Sequence, residues 1–416
     1  MSGKKVLYIS HDGMTDPLGR SQVLPYLVGL SKIGFSFTII SAEKKNNYLS
    51  GSADVIKICE QAGIKWKAFT YHRIPPLIST VFDLLLIYFM AVRLYRKEKF
   101  DIVHCRSYPP SLIGLSLKKK FGCRFIFDMR GFWADERVDG KIWNLNNPVF
   151  FCIYKYFKRK EKKILINADK VISLTHRAKS ELESYKINGK NKLPVTVIPC
   201  CADNNLFTSE NIDKSLSDRF KRQAGIKEGD YIISYLGALG TWYMIDEMLD
   251  FYKVLKTEKQ NCRFLFITAE KKEFILSKVI EKNISVDNII IVHAKRNEVP
   301  VWLNLSDASI FFIKLVFSKV ASFPTKQAEI MSMGIPLVCN SGVGDTDQII
   351  SESKGGILVE NFNEESYRIA AKKLISLSGF SRETATQYAR KHFSLEQGVE
   401  LYRQVYSELL ENKIFQ

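Results

Sequence analysis

The segment 322–338 constrains the fold of this chain more than any other part of its sequence. Its polar start, with Pro324 and Thr325, is typical of a loop that leads into a helix. Gly334 and Pro336 then end that helix, and the apolar residues after them begin a buried strand. A loop that feeds a helix start presents free backbone N–H groups, which suit a phosphate. The segment therefore predicts a phosphate-binding turn within an α/β fold.

Two charged residues sharpen this prediction. Lys326 adds a positive charge at the helix start, and Glu329 lies one turn later on the same helix face. A lysine for phosphate oxygens and a carboxylate for sugar hydroxyls together suit a nucleotide sugar. The alternative is an ordinary solvated ion pair at i and i+3, because single motifs of this kind match many unrelated chains.

The same segment resembles the donor-binding region of glycosyltransferase family 4, a large family of retaining enzymes with the GT-B fold. The match is carried by Pro324, Lys326, Glu329, Gly334 and Pro336. The family's first motif glutamate, which contacts the transferred sugar in many members, falls here at Ala321. The resemblance implies that the donor is bound by Ser322, Pro324, Thr325, Lys326 and Glu329.

Apolar strand-like runs alternate with helical segments along the chain, beginning with residues 5–10 and 35–40. This order of strand, loop, helix and strand builds parallel, doubly wound sheets. The resemblance implies an α/β fold of GT-B architecture, with two Rossmann-like domains whose parallel sheets face across a cleft. We expect an acceptor-binding N-terminal domain at 1–198, joined by the C-terminal helix 395–416, and a donor-binding C-terminal domain at 199–394.

Two further turns of the second domain are expected at the donor. A strand that ends at Gly237 and Ala238 resembles the family's donor-phosphate loop. His293 and Ala294 follow a later strand, which the resemblance places near the nucleotide base. Family members often carry an arginine and a lysine soon after the first loop, where this chain has Thr-Trp-Tyr at 241–243. The motif lysine is therefore expected to be the main cation for the diphosphate.

In the first domain, an apolar strand delivers Asp128 and Arg130 to its carboxyl end, where open α/β sheets bind their ligands. Asp128 is the predicted acceptor base or substrate ligand, and Arg130 is the predicted phosphate ligand. Trp133 adds an aromatic wall that suits a sugar or a lipid. With Lys326 and Glu329, Asp128 and Arg130 form the predicted catalytic group. The alternative is a buried structural pair between Asp128 and Arg130.

Three more residues complete the predicted acceptor or phosphate group. The segment 16–27 resembles the N-terminal loop of a family 4 subgroup, with Gly19 where most members have a glycine pair. A glycine there lets a ligand approach the backbone, and Arg20 is a predicted phosphate ligand. His104 lies at the end of another predicted strand. A surface arginine and a hydrogen-bonded structural histidine are the respective alternatives for these two side chains.

The positive charge is concentrated in the first half of the chain. Residues 1–200 contain 34 Lys or Arg and 16 Asp or Glu, a net charge of +18, whereas residues 201–416 contain 27 and 28, a net charge of −1. A basic half implies an anionic partner. Two segments that combine apolar and basic residues, 79–97 and 150–166, favour an anionic membrane surface. The alternatives are a core helix with a solvated basic end for 79–97 and ordinary solvation of the charges for 150–166. Because no recognition motif accompanies the charge, we do not expect a nucleic-acid partner.

Other features limit the cofactor and the location. The first loop is not GxGxxG, so no dinucleotide cofactor is expected. Asp345 and Asp347 imitate a metal-binding DxD motif but also suit a helix start, and the resemblance implies donor binding without metal. The eight cysteines show no CxxC spacing and are expected to be reduced. The chain shows no signal-peptide pattern, and its longest apolar run, 77–92, contains Asp83. We therefore expect a cytoplasmic protein, peripheral on the inner face of the cell membrane.

Together these patterns predict a glycosyltransferase that moves a sugar from a nucleotide-sugar donor to a hydroxyl of a saccharide acceptor. The resemblance implies retention, and the basic first half favours a lipid-linked acceptor for surface polysaccharide synthesis. One alternative is a nucleotide-sugar 2-epimerase of the same architecture. Another is a catalytically degenerate binding partner, which Ala321 would suit.

Overall fold

The computed structural model describes residues 4–75, 77–185 and 193–411. The chain divides into two compact units. The N-terminal unit comprises residues 1–199 and 395–416, and the C-terminal unit comprises residues 200–394. The division after Pro199 lies one residue from the boundary expected from the sequence.

A parallel sheet forms the centre of the N-terminal unit, with seven strands in the described residues, in the order β3-β2-β1-β4-β5-β6-β7. The strands are β1 (Lys4–Ser10), β2 (Phe35–Glu43), β3 (Lys65–Thr70), β4 (Ile102–Arg106), β5 (Arg124–Asp128), β6 (Lys170–Ser173) and β7 (Val195–Val197). Since β2 and β4 lie on opposite sides of β1, the direction of winding reverses there. The carboxyl ends of β1 and β4 therefore flank a crevice of the kind that binds ligands.

Helices connect these strands and cover the sheet. They are α1 (Pro17–Gln22), α2 (Leu24–Lys32), α3 (Lys45–Gln61), α4 (Ile78–Glu98), α5 (Tyr108–Phe121), α6 (Trp133–Asp139), α7 (Pro148–Asn167) and α8 (His176–Ser184). The strands β1, β4 and β5 are almost entirely buried, which explains the apolar runs at the centres of β1 and β5.

The C-terminal unit has a second parallel sheet, with six strands among the described residues, in the order β10-β9-β8-β11-β12-β13. The strands are β8 (Tyr231–Leu236), β9 (Cys262–Ile267), β10 (Ile289–Val292), β11 (Ala308–Phe311), β12 (Leu337–Asn340) and β13 (Gly356–Val359). Here the winding reverses between β8 and β11. The two sheets are those expected of a GT-B protein with two Rossmann-like domains.

The helices of this unit and the final helix follow in chain order. They are α9 (Lys214–Gln223), α10 (Ile245–Glu258), α11 (Lys272–Glu281), α12 (Val299–Leu303), α13 (Thr325–Ser332), α14 (Thr346–Ser353), α15 (Glu364–Ile375), α16 (Arg382–Phe393) and α17 (Leu395–Glu411). Short 3₁₀ helices cover Val286–Asn288 and Phe317–Ala321.

Helix α17 returns to the N-terminal unit and packs against α2. A Cβ atom on Gly29 of α2 would lie 2.5 Å from a methyl carbon of Val399, so glycine allows the two helices to approach. Further along α17, the ring of Tyr406 packs edge-on against Phe35, with ring centres 5.1 Å apart. The last helix therefore completes the core of the first unit.

Helix α4 is longer and more apolar than the sequence interpretation assumed. It has 21 residues, its most apolar 18-residue window has a mean hydropathy of 1.7, and 33% of that window is buried. By length and composition alone it could cross a membrane, a test that core helices of soluble proteins also pass. Helix α4 packs against α5 and β2 of the N-terminal unit.

The eight cysteines, all within the described residues, form no disulfide, and seven of them are buried. Cys152 on α7 is exposed. The reduced state expected of the cysteines stays a prediction.

Candidate functional site

Lys326 lies in the first turn of α13 and is buried beside the end of β8. Its ammonium donates a hydrogen bond to the Tyr235 hydroxyl (Nζ–Oη 2.9 Å) and lies 4.1 Å from the centre of that ring and 3.5 Å from the centre of the Tyr243 ring. Within the described residues, no carboxylate oxygen lies within 4.0 Å of this ammonium. Burial lowers the pKa of Lys326 well below its usual value, although Glu329 opposes the shift. An anionic ligand would stabilise the charged form of this desolvated lysine.

The loop after β8 is built around this lysine. Gly237 has φ +103°, a conformation that favours glycine, and a Cβ atom there would lie 3.2 Å from the Lys326 Nζ. The next residue, Ala238, is exposed, and its carbonyl accepts a hydrogen bond from the Tyr235 hydroxyl (2.7 Å). This loop lies where the sheet reverses its winding, at the position where α/β sheets bind ligands. The structure thus brings together the predicted donor residues Gly237, Ala238 and Lys326.

Glu329 lies one turn after Lys326, and its side chain is also buried. It accepts a hydrogen bond from Arg296 (Nη1–Oε1 2.5 Å), whose guanidinium lies 4.6 Å from the centre of the Phe207 ring. Burial raises the pKa of Glu329, and the Arg296 charge opposes that rise. Because both motif side chains are buried, they are not the ordinary solvated pair considered above.

The other predicted donor residues surround this pair. His293 is exposed and Ala294 is half-buried in the loop after β10 that also carries Arg296. In the segment before α13, Pro324 is the N-cap residue, and Ser322 and Thr325 are half-buried. No described side chain caps the start of α13. The first backbone N–H groups of this helix are therefore not occupied by a side-chain hydroxyl.

Sequence reasoning missed what the residues after the donor loop do. Family members often carry cations at the positions of Trp242 and Tyr243. In this chain each of these two rings faces a lysine, the first from the segment before α13 and the second from α13 itself. The Lys319 Nζ lies 3.6 Å from the Trp242 ring centre, as Lys326 lies against Tyr243. Lys319 is buried as well. That Lys326 is the main cation for the diphosphate stays a prediction.

The DxD-like residues have structural roles in this unit. Asp345 is the N-cap residue of α14, and both carboxylate oxygens of Asp347 accept from the Gly342 backbone N–H (3.2 and 3.0 Å). Over the residues that the structure describes, no group of three or more His, Cys, Asp or Glu side chains is placed to hold a metal ion. Metal-independent donor binding stays a prediction.

In the N-terminal unit, Asp128 ends β5 and is buried among two arginines and a histidine. Its Oδ1 lies 3.8 Å from the Arg130 Nη1, and its Oδ2 lies 3.5 Å from the His104 Nε2 and 3.9 Å from the Arg106 Nη1. Burial raises the pKa of Asp128, but Arg130, His104 and Arg106 together hold it below its usual value. Such a carboxylate stays ionised at neutral pH, which suits holding the cations in place better than accepting a proton.

Two tyrosines of α17 complete this cluster, which the sequence interpretation did not foresee. The Tyr402 hydroxyl donates to Asp128 (3.3 Å), and the Tyr406 hydroxyl lies 2.6 Å from the His104 Nδ1. Burial lowers the pKa of His104, although Asp128 opposes the shift, so the imidazole is neutral at pH 7. His104 is thus hydrogen-bonded and buried, and Arg130 follows β5 with φ +59°. Asp128 and Arg130 therefore belong to a larger network than the simple pair considered above.

The remaining predicted acceptor residues lie apart from this cluster. Gly19 is buried within α1, where a Cβ atom would lie 2.1 Å from the Gly13 carbonyl oxygen, so it serves close packing of the loop. Arg20 pairs with Asp54 on the surface (Nη2–Oδ2 3.1 Å). Trp133 starts α6 and packs against other aromatic rings. These rings belong to Tyr108, Trp143 and Phe157.

Each of the two units matches a known protein family. The model described as Glycosyltransferase Family 4 matches residues 38–206, and the model described as Glycosyl transferases group 1 matches residues 217–392. The chain is a GT-B glycosyltransferase of the family 4 type. No curated protein sequence matches it.

Solved structures of low sequence identity share the fold of this glycosyltransferase. Sucrose-phosphate synthase from Thermosynechococcus elongatus is 14% identical with a TM-score of 0.73, and the alignment covers 98% of this chain and 100% of that one. Anabaena Alr3699/HepE in complex with UDP and glucose is 13% identical with a TM-score of 0.68, covering 98% and 99%. A putative UDP-N-acetylglucosamine 2-epimerase from Listeria monocytogenes is 14% identical with a TM-score of 0.59, covering 97% and 95%. These likenesses concern the fold of the glycosyltransferase.

Proposed function

We propose that this glycosyltransferase moves a sugar from a nucleoside diphosphate sugar to an acceptor hydroxyl, with retention at the anomeric carbon. The observation that carries the proposal is the buried Lys326 amine beside the Gly237 loop and the uncapped start of α13. A diphosphate would give this desolvated lysine the anionic partner that it lacks among the described residues.

The same groups would promote departure of the nucleotide. Negative charge develops on the diphosphate as its bond to the sugar breaks, and Lys326 with the α13 backbone N–H groups would stabilise that charge. Glu329 would accept hydrogen bonds from the ribose hydroxyls. Arg296 would either move away from the Glu329 carboxylate or bind it at the same time as the ribose. We propose direct front-face substitution without a covalent intermediate, and no metal ion in this role.

For the acceptor side we propose the cluster around Asp128. The ionised Asp128 would orient Arg130, which would bind a phosphate or hydroxyl of the acceptor or of the transferred sugar. The charge of residues 1–200 supports a lipid-linked saccharide as the acceptor, at the inner face of the cell membrane, in surface polysaccharide synthesis.

Uridine nucleotides are the first donors to test, because a structure of the same fold contains UDP and glucose. Calorimetry with UDP, GDP, ADP and CMP, without metal, would identify the base. UDP-glucose and related UDP sugars would then be incubated with membrane lipid extract, and the anomeric configuration of the product would be read by NMR. Selective nucleotide binding and a product that keeps the donor's configuration are expected.

Two controls address the alternatives. A donor incubated without acceptor would give an isomeric nucleotide sugar if the protein were a 2-epimerase, and that product would refute the transfer reaction. Binding of none of the four nucleotides, even with Mn²⁺ added, would favour the degenerate binding partner, to which Ala321 lends support.

A further inference from the structure

Helix α4 presents an apolar stripe to solvent instead of to the core. Six large side chains are exposed at helical spacing along one side, namely Ile78, Val81, Phe82, Leu85, Leu86 and Phe89. Ile78 is 69% exposed and Phe89 is 65% exposed, values typical of polar surface residues. In an ordinary surface helix of a soluble protein such a stripe faces inward. These six residues are called the apolar face of α4 below.

The opposite side of α4 fixes this orientation. Its buried residues recur about every four positions, namely Ser79, Asp83, Ile87, Ala91 and Tyr95. Asp83 is fully buried, and its carboxylate accepts from the backbone N–H of His72 (3.0 Å) and lies 2.5 Å from the His72 Nδ1. The apolar face therefore cannot turn inward without breaking these contacts and burying a carboxylate in a new place.

The exposed side of α4 changes chemistry along its length. After the apolar face, its last two turns carry exposed basic residues, namely Arg93, Arg96 and Lys97. Helix α7 repeats the order, with Val149 and Phe151 exposed near its start and basic residues exposed later. Those later residues are Lys155, Arg159, Lys162 and Lys163. Apolar side chains followed by cations match the acyl chains and the anionic headgroups of a bilayer.

We propose that the apolar face of α4 inserts into an anionic lipid bilayer while the basic end of the helix binds lipid phosphates. The charge of the N-terminal half, +18, favours an anionic lipid surface, because such a bilayer presents acyl chains and phosphates side by side. Since the opposite side of α4 is bound to the unit, the helix lies along the membrane surface and does not cross it.

This inference deepens the proposed function. Membrane binding by α4 does not depend on that function, whereas the delivery of a lipid-linked acceptor to the crevice rests on it. The His11 Nε2 lies 3.9 Å from the Asp83 carboxylate, and His11 directly follows β1. The crevice at the carboxyl ends of β1 and β4 is thus connected to α4 through two side chains. Insertion of the apolar face would hold that crevice next to the lipids, where a lipid-linked acceptor presents its sugar.

The test uses the full chain and vesicles of two compositions, phosphatidylcholine alone and phosphatidylcholine with phosphatidylglycerol. Cosedimentation at low salt measures binding. The double variant Leu85→Gln with Phe89→Gln removes part of the apolar face, and Ile280→Gln with Ile369→Gln is the matched control at exposed positions of the C-terminal unit, 63% and 51% exposed. A polarity-sensitive dye on Cys152, the exposed cysteine, reports the approach of α7 to lipid.

Wild type is expected to bind the anionic vesicles, and the double variant to bind them about a hundredfold more weakly, near tenfold for each large side chain. The control variant should bind like wild type. Replacing Arg93, Arg96 and Lys97 by glutamine should remove the preference for anionic lipid and its salt dependence. An alkaline carbonate wash should release the bound protein, whereas retention after the wash would show a spanning helix and overturn the surface orientation.

Two outcomes would overturn the inference itself. One is failure of wild type to bind anionic vesicles at low salt, and the other is equal binding by wild type and the double variant. Self-association that the double variant abolishes, without lipid binding, would assign the apolar face to a second copy of the chain. Nucleotide binding in solution is measured on each variant, so loss of the donor site or of the fold is distinguished from loss of membrane binding.

Discussion

Replacing Lys326 by methionine tests the donor site most directly. Methionine has a similar length and no charge, and it fits between the Tyr235 and Tyr243 rings. The Tyr235 hydroxyl keeps its hydrogen bond to the Ala238 carbonyl (2.7 Å), so the change leaves no unpaired hydroxyl proton. Because burial of an amine is unfavourable, we expect Lys326→Met to unfold at the same temperature as wild type or higher.

The expected loss is in nucleotide affinity. A hydrogen bond between an ammonium and a phosphate contributes about 1.5–3 kcal/mol. Its removal should therefore raise the Kd for the preferred nucleoside diphosphate by about 10- to 150-fold. Calorimetry without metal at pH 7 measures this Kd. Lys253→Met, at an exposed lysine of α10, is the matched control and should leave the Kd unchanged.

The protonation of Lys326 adds a second readout. Burial lowers the pKa of Lys326 below the ordinary 10.5, and a bound diphosphate should raise it again, so nucleotide binding should be accompanied by proton uptake at pH values between those two pKa values. Calorimetry in buffers of different ionisation enthalpy detects this uptake, which Lys326→Met should abolish.

The same shift sets the sign of a stability effect. Between the lowered folded pKa and 10.5 the unfolded chain binds more protons, so this lysine makes stability rise with pH in that window. Lys326→Met should lack this contribution. The reasoning would be refuted if wild type bound the nucleotide and Lys326→Met bound it within twofold of the same Kd.

Three further changes test other parts of the site and fold. Arg296→Met leaves Glu329 without its partner, so the pKa of Glu329 should rise further. Nucleotide affinity should then begin to fall at a higher pH on acidification. Calorimetry from pH 5 to 8 measures this, and an unshifted profile would contradict it. Gly19→Ala forces a Cβ atom into the Gly13 carbonyl and should lower the free energy of unfolding in urea by about 1–3 kcal/mol. An unchanged free energy would contradict the close packing of this loop. Asp128→Asn removes a buried anion among cations and should cost about 3–5 kcal/mol at pH 7. Because the folded pKa of Asp128 is lowered, that difference should shrink as pH falls below about 4, and a constant difference would argue against the ion network.

Much of the fold could be read from local patterns. Mainly apolar runs mark the buried strands, such as β5 and β8, and glycine and proline mark where helices and strands end. The donor segment also followed local rules, since Gly237 and Lys326 each sit at a strand end or a helix start. Period and turn chemistry are properties of neighbouring residues, so one sequence carries them.

The surroundings of the charged groups were decided by tertiary structure alone. Tyr402 and Tyr406 reach Asp128 and His104 from positions 274 and 302 residues away, and Arg296 reaches Glu329 across 33. No local pattern specifies such contacts, because they arise only when sheet order and helix packing bring distant segments together.

Tertiary structure also settled which apolar residues face the core. By composition, α4 reads equally well as a core helix or a surface helix, and its packing through Asp83 and Ile87 leaves the other side in solvent. Likewise, Gly19 and Arg20 share a motif in the sequence, yet one packs under a loop while the other pairs on the surface. The sequence thus determined which elements form and which residues carry charge. Only the packing of distant elements determined which of those charges are desolvated and which of them lie next to opposite charges. Burial lowers the pKa of Lys326, whereas the neighbouring Arg130, His104 and Arg106 lower the pKa of Asp128 against the effect of its burial.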